Sequence, residues 1–204
     1  MSDCIGVILA GGLARRMGGG DKPLVEIEGR PILQHVIDRL TPQCGLLAIN
    51  ANGDPARFSR FGLPVVADSI EGFAGPLAGI LAGMDFAAAR GAEHVLSAPG
   101  DTPFLPADLA SRLETARRRT SADIAVAASN GRIHHAVALW PVALRGDLRR
   151  ALLEEGERKV SAFIGRFASV VVEWSVEPYD PFFNVNQPED LARAAAIAKE
   201  EAGS

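Results

Sequence analysis

The stretch from Leu9 to Lys22 constrains this chain more than any other. It reads Leu-Ala-Gly-Gly-Leu-Ala-Arg-Arg-Met-Gly-Gly-Gly-Asp-Lys and follows the apolar run from Ile5 to Ala10. That run is too short for a core helix, so it predicts a buried parallel strand. Because ligands of parallel sheets bind beyond the carboxyl ends of the strands, we expect the chemistry to begin where this strand ends.

The composition of this loop predicts phosphate binding. Gly11 and Gly12 let the backbone approach a ligand closely, and successive N–H groups in such a loop form an anion-binding concavity. Arg15, Arg16 and Lys22 add positive charge, and guanidinium groups match phosphate oxygens with paired hydrogen bonds. An ordinary glycine-rich surface loop with solvated arginines is the alternative.

Two common phosphate-binding loops do not fit this stretch. A Walker A loop needs a Gly-Lys pair, and the chain contains none. The dinucleotide fingerprint Gly-x-Gly-x-x-Gly starts at Gly18 and Gly20 but is broken by Pro23. The loop therefore belongs to neither of these classes.

Strands and helices alternate along the rest of the chain. In the first half, periodicity predicts a ribbon over 25–30 and strands over 46–50, 63–67 and 94–98. The helices predicted there are one from Pro31, a weak one over 55–60 and one over 77–89. The second half predicts helices over 106–118, 142–155 and 188–202, strands over 124–128, 135–140 and 170–174, and an amphipathic segment over 160–167. This order is typical of a three-layer α/β fold with a doubly wound, mostly parallel sheet. Gly11, Asn50, Asp68 and Asp101 all fall at strand ends, so we expect them around one crevice.

Composition indicates one soluble α/β domain. The 204 residues are 48% hydrophobic, and no Pro- or Ser-rich linker divides them. Asp3 stands where a signal peptide carries positive charge, and Cys4 and Cys44 form no Cys-x-x-Cys pair, so we expect a cytoplasmic protein without a membrane partner. The net charge of −4 argues against a nucleic-acid partner.

The stretch from Leu9 to Lys22 resembles the Leu-Ala-Gly-Gly-x-x-x-Arg-Met-Gly-x-x-Asp-Lys signature of the molybdenum cofactor guanylyltransferases, a branch of the nucleotidyltransferase superfamily with a Rossmann-like fold. The resemblance spans nearly the whole chain. Further matches follow in the same order: Asn50-Ala51-Asn52, Asp68-Ser69, Gly75-Pro76-Leu77-Ala78-Gly79, Asp101-Thr102-Pro103, Gly156-Glu157-Arg158-Lys159-Val160 and Asn184-Val185-Asn186-Gln187-Pro188-Glu189-Asp190. The second glycine of Leu-Ala-Gly-Gly and the closing Asn-x-Asn-x-Pro-Glu-Asp favour the guanylyl branch.

The resemblance implies a nucleotide site in the N-terminal half, over about 1–105. Asn50 and Asp68 offer hydrogen-bonding edges to a base or ribose, although Asn and Asp also favour turns on their own account. The implied nucleotide-binding residues are Leu9, Ala10, Gly11, Gly12, Lys22, Asn50, Asp68, Gly75, Pro76, Leu77 and Asp101.

Three charged positions, Asp101, Lys22 and Arg15, carry the expected catalytic chemistry. A carboxylate at a strand end beside a phosphate loop suits Mg²⁺, so Asp101 is the expected metal ligand and Mg²⁺ the cofactor. The alternative for Asp101 is a helix N-cap. Lys22 places a point charge on the phosphates, and Arg15 stabilises charge that develops as the α-phosphorus is attacked.

The sequence does not favour a hydrolase, because it has no Gly-x-Ser-x-Gly elbow and no catalytic cysteine motif. His134 and His135 are adjacent on a predicted strand, so their side chains point to opposite faces and do not form a metal pair.

The C-terminal half, over about 106–204, is the expected pterin side. Arg158, Lys159, Asn184 and Asn186 resemble family positions proposed for the pterin substrate and its terminal phosphate. Many relatives carry a second arginine in place of Lys159, so a bidentate phosphate contact is not expected there. The Asn184-Val185-Asn186 alternation predicts a strand with both amides on one face, and a structural strand-to-helix corner is the alternative.

The resemblance implies transfer of GMP from GTP to the terminal phosphate of molybdopterin, with or without bound molybdenum. The nearest alternative is a cytidylyltransferase acting on molybdopterin, or a nucleotidyltransferase acting on a sugar or polyol phosphate. A protein that binds nucleotide or hands on cofactor without catalysis is the alternative from another class. We expect a monomer, with molybdopterin-synthesis and molybdoenzyme maturation proteins as implied partners.

Overall fold

The computed structural model describes residues 4–11, 22–70, 72 and 75–202. Short 3₁₀ turns cover Lys22–Leu24, Pro55–Phe61 and Val142–Leu144. In chain order the other described elements are β1 (Cys4–Leu9), β2 (Glu26–Ile27), β3 (Arg30–Pro31), α1 (Ile32–Leu40), β4 (Leu46–Asn50), β5 (Val65–Val66), α2 (Pro76–Ala88), β6 (His94–Pro99), α3 (Leu109–Thr120), β7 (Ile124–Ser129), β8 (Arg132–Pro141), α4 (Arg145–Leu153), α5 (Val160–Ile164), β9 (Ser169–Trp174) and α6 (Pro188–Ala202).

The described strands other than β2 and β3 form one sheet in the order β5-β4-β1-β6-β8-β7-β9. The pairs β5/β4, β4/β1, β1/β6 and β7/β9 are parallel, whereas β8 runs antiparallel to both β6 and β7. β2 and β3 pair as a separate antiparallel ribbon. The predicted doubly wound, mostly parallel α/β fold is confirmed.

The reversal at β8 comes from a tight hairpin that periodicity did not predict. Asn130 and Gly131 connect β7 to β8, and both have positive φ angles, 48° and 70°. Two consecutive residues with positive φ make the type I′ turn, whose twist matches the strands that it joins. As a result β8 begins at Arg132, three residues before the predicted start of that strand.

Side chains alternate between the two faces of the sheet. In β1, Cys4 and Ile8 pack into a core shared with α1 and α3, and Ile5 and Val7 pack into a core shared with α2, α4 and α5. A third, smaller core joins the β2–β3 ribbon to α6 through buried Phe104 and Val185. This third core attaches the C-terminal helix beside the end of β6.

Several predicted boundaries differ from the structure. β5 covers only Val65–Val66, because Pro64 has no N–H to donate and the strand lies at the sheet edge. α3 begins at Leu109 and not at Pro106, and the helix predicted over 142–155 is a 3₁₀ turn followed by α4. Within the described ranges, the structure has no helix that is long and apolar enough to cross a membrane.

Gly79 allows α2 to lie against the ends of β1 and β4. A β-carbon at Gly79 would lie 2.2 Å from Asn50 Oδ1 and 2.8 Å from Leu9 Cδ2. We therefore expect Gly79→Ala to lower the free energy of unfolding by about 1–3 kcal/mol in urea denaturation, because the helix must move away from the sheet.

The matched control is Gly146→Ala in α4, where an added β-carbon meets nothing within 4 Å. This change should stabilise the protein by about 0.5–1 kcal/mol, since alanine loses less backbone entropy in a helix. Equal changes in the free energy of unfolding for the two variants would show that the packing of α2 against the sheet does not require a glycine at position 79.

Candidate functional site

The carboxyl ends of β1, β4 and β6 lie side by side. Beyond the strands, Ala10 N–H donates to the Asn50 carbonyl at 2.9 Å, and Gly100 N–H donates to the Leu9 carbonyl at 3.0 Å. These bonds extend the ladder into the loops that follow each strand. Gly11 is exposed at this edge. Of the predicted loop residues, Gly12 and Arg15 lie outside the described part of the chain.

Lys22 and Asp101 form the centre of a first polar group. The Lys22 ammonium pairs with Asp101 Oδ2 and also donates to Asn186 Oδ1. Asn184 Nδ2 donates to Asp101 Oδ1 at 3.2 Å, and the Thr102 hydroxyl lies 3.3 Å from Asn184 Oδ1. The side chains of Lys22 and Asp101 are only 12% and 19% exposed. Charged groups at this burial need partners, and the two amides and the hydroxyl supply them.

The segment that carries the two asparagines is not a strand. Residues 184–187 have no regular secondary structure, and Val185 N–H donates to the Asp101 carbonyl at 3.0 Å. The predicted strand over 184–186 is therefore wrong, because this single bond to the end of β6 does not build a ladder. The side-chain amides of Asn184 and Asn186 nevertheless both belong to the polar group around Lys22 and Asp101.

The alternative role of Asp101 as a helix N-cap is also excluded by the structure. α3 begins at Leu109, and the residue at its N-cap position is Asp108. The Asp108 carboxylate accepts instead from Trp174 Nε1 at 2.9 Å. Asp101 thus lies several residues before the helix, with its carboxylate in the polar group around Lys22.

A second polar group is centred on Asp68. Asn50 Nδ2 donates to Asp68 Oδ1 at 2.9 Å, and Asn52 Nδ2 donates to Asp68 Oδ2 at 2.7 Å. Asn52 Oδ1 in turn accepts the backbone N–H of Asp68 at 2.9 Å. Asn50 is buried, and Asn52 is exposed. Amide donors from the end of β4 and from the loop that follows it therefore fix both carboxylate oxygens in place.

The predicted residues Gly75, Pro76 and Leu77 form the start of α2 beside this second group. Gly75 has a φ of 141°, which favours glycine, and Pro76 occupies the first helical position, where its missing N–H costs nothing. Leu77 is buried in the core, so only its backbone can face a ligand. Since Gly79 lies against Asn50 and Leu9, the start of α2 lies beside the ends of β1 and β4.

Arg158 and Lys159 lie in a separate turn before α5, and both are exposed. The Glu157 carboxylate accepts the backbone N–H groups of Arg158 at 2.8 Å and Lys159 at 2.9 Å. These N–H donors, with a smaller contribution from Arg166, hold the pKa of Glu157 below its ordinary value. The turn that carries the two cations is therefore ordered by its own hydrogen bonds.

The oxygen atoms around Asp101 suit a hard cation. Lys22 Nζ contacts Asp101 Oδ2 and Asn186 Oδ1 together, so these two oxygens already converge on one positive charge. Carboxylate and amide oxygens are ligands that Mg²⁺ accepts, usually one or two from protein with the rest from phosphates and water. No group of three His, Cys, Asp or Glu side chains in the described ranges could hold a metal.

Sequence reasoning did not assign two residues that belong to these groups. Asn52 was part of a matched motif but received no role, and it makes two of the contacts of Asp68. Thr102 links Asp101 to Asn184. The spacing of Asn50 and Asn52 could have indicated a shared partner, whereas nothing local to Thr102 indicates a contact 82 residues away.

Comparison with known proteins gives consistent matches. The family model of the MobA-like NTP transferase domain matches residues 6–169. The molybdenum cofactor guanylyltransferase of Rhodopseudomonas palustris (strain BisB5) is 63% identical over 194 residues, which are 94% of this chain and 92% of that protein. The protein of the same name from Bradyrhizobium sp. (strain ORS 278) is 56% identical over 198 residues, 96% of this chain and 93% of the relative.

Solved structures share the fold. The molybdopterin-guanine dinucleotide biosynthesis protein A of Archaeoglobus fulgidus superposes with a TM-score of 0.75 at 25% identity, over 97% of this chain and 99% of that one. The 4-diphosphocytidyl-2C-methyl-D-erythritol synthase of Anaerococcus prevotii superposes with a TM-score of 0.73 at 15% identity, over 97% of this chain and 96% of the other. The second likeness shows the fold alone.

The two asparagines that hold Asp68 should differ in their effect on stability. We expect Asn50→Ala to lower the free energy of unfolding by about 1–3 kcal/mol, because it removes a buried side chain together with its hydrogen bonds to Asp68 and to the Val66 carbonyl. The matched change Asn52→Ala is exposed and should cost about 0.5 kcal/mol or less, since water replaces the lost amide. Urea denaturation measures the free energy of unfolding of both variants. An equal decrease in the two would contradict the inference that the burial of Asn50 makes its loss more costly.

Proposed function

The chain belongs to the molybdenum cofactor guanylyltransferases of the MobA-like NTP transferase family, and on that premise we propose that it transfers GMP from GTP to the terminal phosphate of molybdopterin. In the proposed reaction a phosphate oxygen of molybdopterin attacks the α-phosphorus, the bond from the α-phosphorus to the β-phosphate oxygen breaks, and pyrophosphate leaves. The observation that carries this proposal is the convergence of Lys22, Asp101, Asn184 and Asn186 at the edge where β1 and β6 end.

The residues of this chain have distinct parts in the proposed reaction. Nucleotidyl transfer needs little covalent help from protein, so positioning and charge neutralisation carry the rate. Lys22 is held between two oxygens, so its charge has a fixed position for the triphosphate. The backbone N–H groups of Gly11 and Gly12 and the Arg15 guanidinium add donors for charge that develops at the α-phosphate.

Mg²⁺ is the proposed cofactor, with Asp101 as its protein ligand. When bound, the ion supplies charge neutralisation and orientation of the triphosphate for in-line displacement. Asn186 Oδ1 lies beside Asp101 Oδ2 through their shared contact with Lys22, so it is the neighbouring oxygen available to the same ion or to its water.

We assign the Asp68 group to the nucleoside. Asn50 and Asn52 fix the orientation of the Asp68 carboxylate, and its remaining lone pairs can accept from base or ribose donors. The backbone N–H groups of Gly75 and Leu77 at the start of α2 are proposed as further donors to the nucleoside. Arg158, Lys159, Asn184 and Asn186 are proposed for the pterin and its phosphate.

The first test is pyrophosphate release with GTP, CTP, ATP and UTP, each with Mg²⁺ and with or without molybdopterin. We expect release with GTP alone, and only after molybdopterin is added. Release with CTP would assign the chain to cytidylyl transfer with the same fold. No release with any nucleotide would favour a sugar phosphate as acceptor or a role in binding without catalysis.

The second test is the exchange of Asp101 for alanine. The loss of a metal ligand should lower kcat by about a thousandfold or more, since the ion contributes several kcal/mol to the transition state and each 1.36 kcal/mol is tenfold. The control is Asp147→Asn on α4, a half-exposed carboxylate that pairs with Arg150 on the same helix and should leave turnover unchanged. Retained activity in Asp101→Ala, with the circular dichroism spectrum of the parent, would remove Asp101 from the mechanism.

A further inference from the structure

Three polar side chains meet behind the segment that carries Asn184 and Asn186. Ser129 is the last residue of β7 and is only 1% exposed. Its hydroxyl donates to Asp180 Oδ1 at 2.8 Å and lies 2.8 Å from His134 Nε2. A serine has one hydroxyl hydrogen and a carboxylate can only accept, so His134 Nε2 carries a hydrogen and donates to Ser129.

Asp180 orders the backbone that leads into the segment. Its Oδ1 accepts the N–H of Phe182 at 3.0 Å, and its carbonyl accepts the N–H of Phe183 at 3.1 Å. An aspartate that bonds the backbone two residues later closes a turn by itself. The Ser129 hydroxyl, by donating to the same oxygen, fixes this turn against the end of β7.

Aromatic packing supports the same turn from the apolar side. Phe182 is buried, with its ring centroid 4.7 Å from that of His134 and 5.5 Å from that of Trp174. Burial lowers the pKa of His134, against the opposing effect of Asp180, so the imidazole is neutral at pH 7. A neutral ring suits both the donor bond to Ser129 and the contact with Phe182.

A second aspartate orders the other end of the segment. Asp190 Oδ2 accepts the N–H groups of Asn186 at 2.7 Å and Gln187 at 3.0 Å in the first turn of α6. Between the two aspartates, Val185 N–H bonds to the Asp101 carbonyl, and the two asparagines reach Asp101 and Lys22. The positions of both amides are thus set by the turn at Asp180 and by the start of α6.

We propose that Ser129, His134 and Asp180 are positioning residues for the acceptor side of the site, because they set where Asn184 and Asn186 stand against Asp101 and Lys22. This inference rests on the proposed function for the identity of the acceptor, molybdopterin.

Ser129, His134 and Asp180 do not form a nucleophilic triad. In such a triad the histidine bridges serine and aspartate, whereas here both contact the serine hydroxyl, which is buried.

The closing experiment compares Ser129→Ala with Ser111→Ala, an exposed serine on α3. In Ser129→Ala we expect the KM for molybdopterin to rise about tenfold through loss of the bonds to the hydroxyl. The KM for GTP should rise less, by about threefold at most, because Asn186 also holds Lys22 but the Asp68 group proposed for the nucleoside is untouched. Ser111→Ala should match the parent in both constants.

A second pair of variants separates positioning from general damage to the fold. Asp180→Asn keeps an acceptor oxygen for Phe182 N–H and should restore most of the affinity for molybdopterin that Asp180→Ala loses. His134→Phe keeps a ring against Phe182 but removes the donor to Ser129, and it should raise the KM for molybdopterin less than Ser129→Ala does. Equal increases in the KM for GTP and for molybdopterin would overturn the proposal.

Hydrogen–deuterium exchange tests the positioning without any turnover. Amides of 182–187 should exchange at least about fivefold faster in Ser129→Ala and Asp180→Ala, while those of β6 stay protected as in the parent. Unchanged exchange over 182–187 would overturn the proposal. If the parent releases no pyrophosphate with molybdopterin but exchange responds as expected, the proposed function fails and the positioning of the segment stands.

Discussion

The ion pair between Lys22 and Asp101 joins three distant parts of the chain. Lys22 follows the glycine-rich loop, Asp101 follows β6, and the Asn186 amide that shares the ammonium lies 164 residues after Lys22. Both charged side chains are mostly buried. Such charges lose hydration, so they persist only where further hydrogen bonds compensate them. Asn184, Thr102 and Asn186 provide that compensation, and the C-terminal segment must pack beside the end of β6 for them to do so.

The position of α2 is the second requirement of the site. Gly79 meets Asn50 and Leu9, and Gly83 meets Val7, at distances where a β-carbon would clash. Small residues on the sheet-facing side let the helix approach the strands closely. The start of α2 and the ends of β1 and β4 are therefore neighbours, and α2 begins beside Asn50 and the Asp68 carboxylate that Asn50 holds.

Sequence reasoning predicts the sheet, and names most of the residues that meet in the two polar groups, for physical reasons that operate locally. Apolar runs and strand-end polar residues identify β1, β4 and β6, and the motifs identify Lys22 and Asp101. Local sequence patterns do not predict which of these side chains are hydrogen-bonded to one another. Lys22 was assigned to the nucleotide and Asn186 to the pterin, and yet their side chains are hydrogen-bonded. The Asn130-Gly131 hairpin was a local signal that was missed, whereas the irregular path of 184–186 depends on contacts with Asp101 that periodicity does not encode.

The two carboxylates of the site differ in their partners, and this difference suits their proposed parts. Asp68 is oriented by neutral amides, so its charge is not cancelled by a neighbouring cation in the described contacts and remains directed at donors of a ligand. Asp101 is paired with an ammonium, so its oxygens and that of Asn186 are already arranged around a positive charge. When the side chains of a site are ordered before the ligand binds, less conformational entropy is lost on binding. The turn at Asp180 and the start of α6 extend this order to the amides, so the arrangement around Asp101 depends on contacts made by residues that do not themselves contact Asp101.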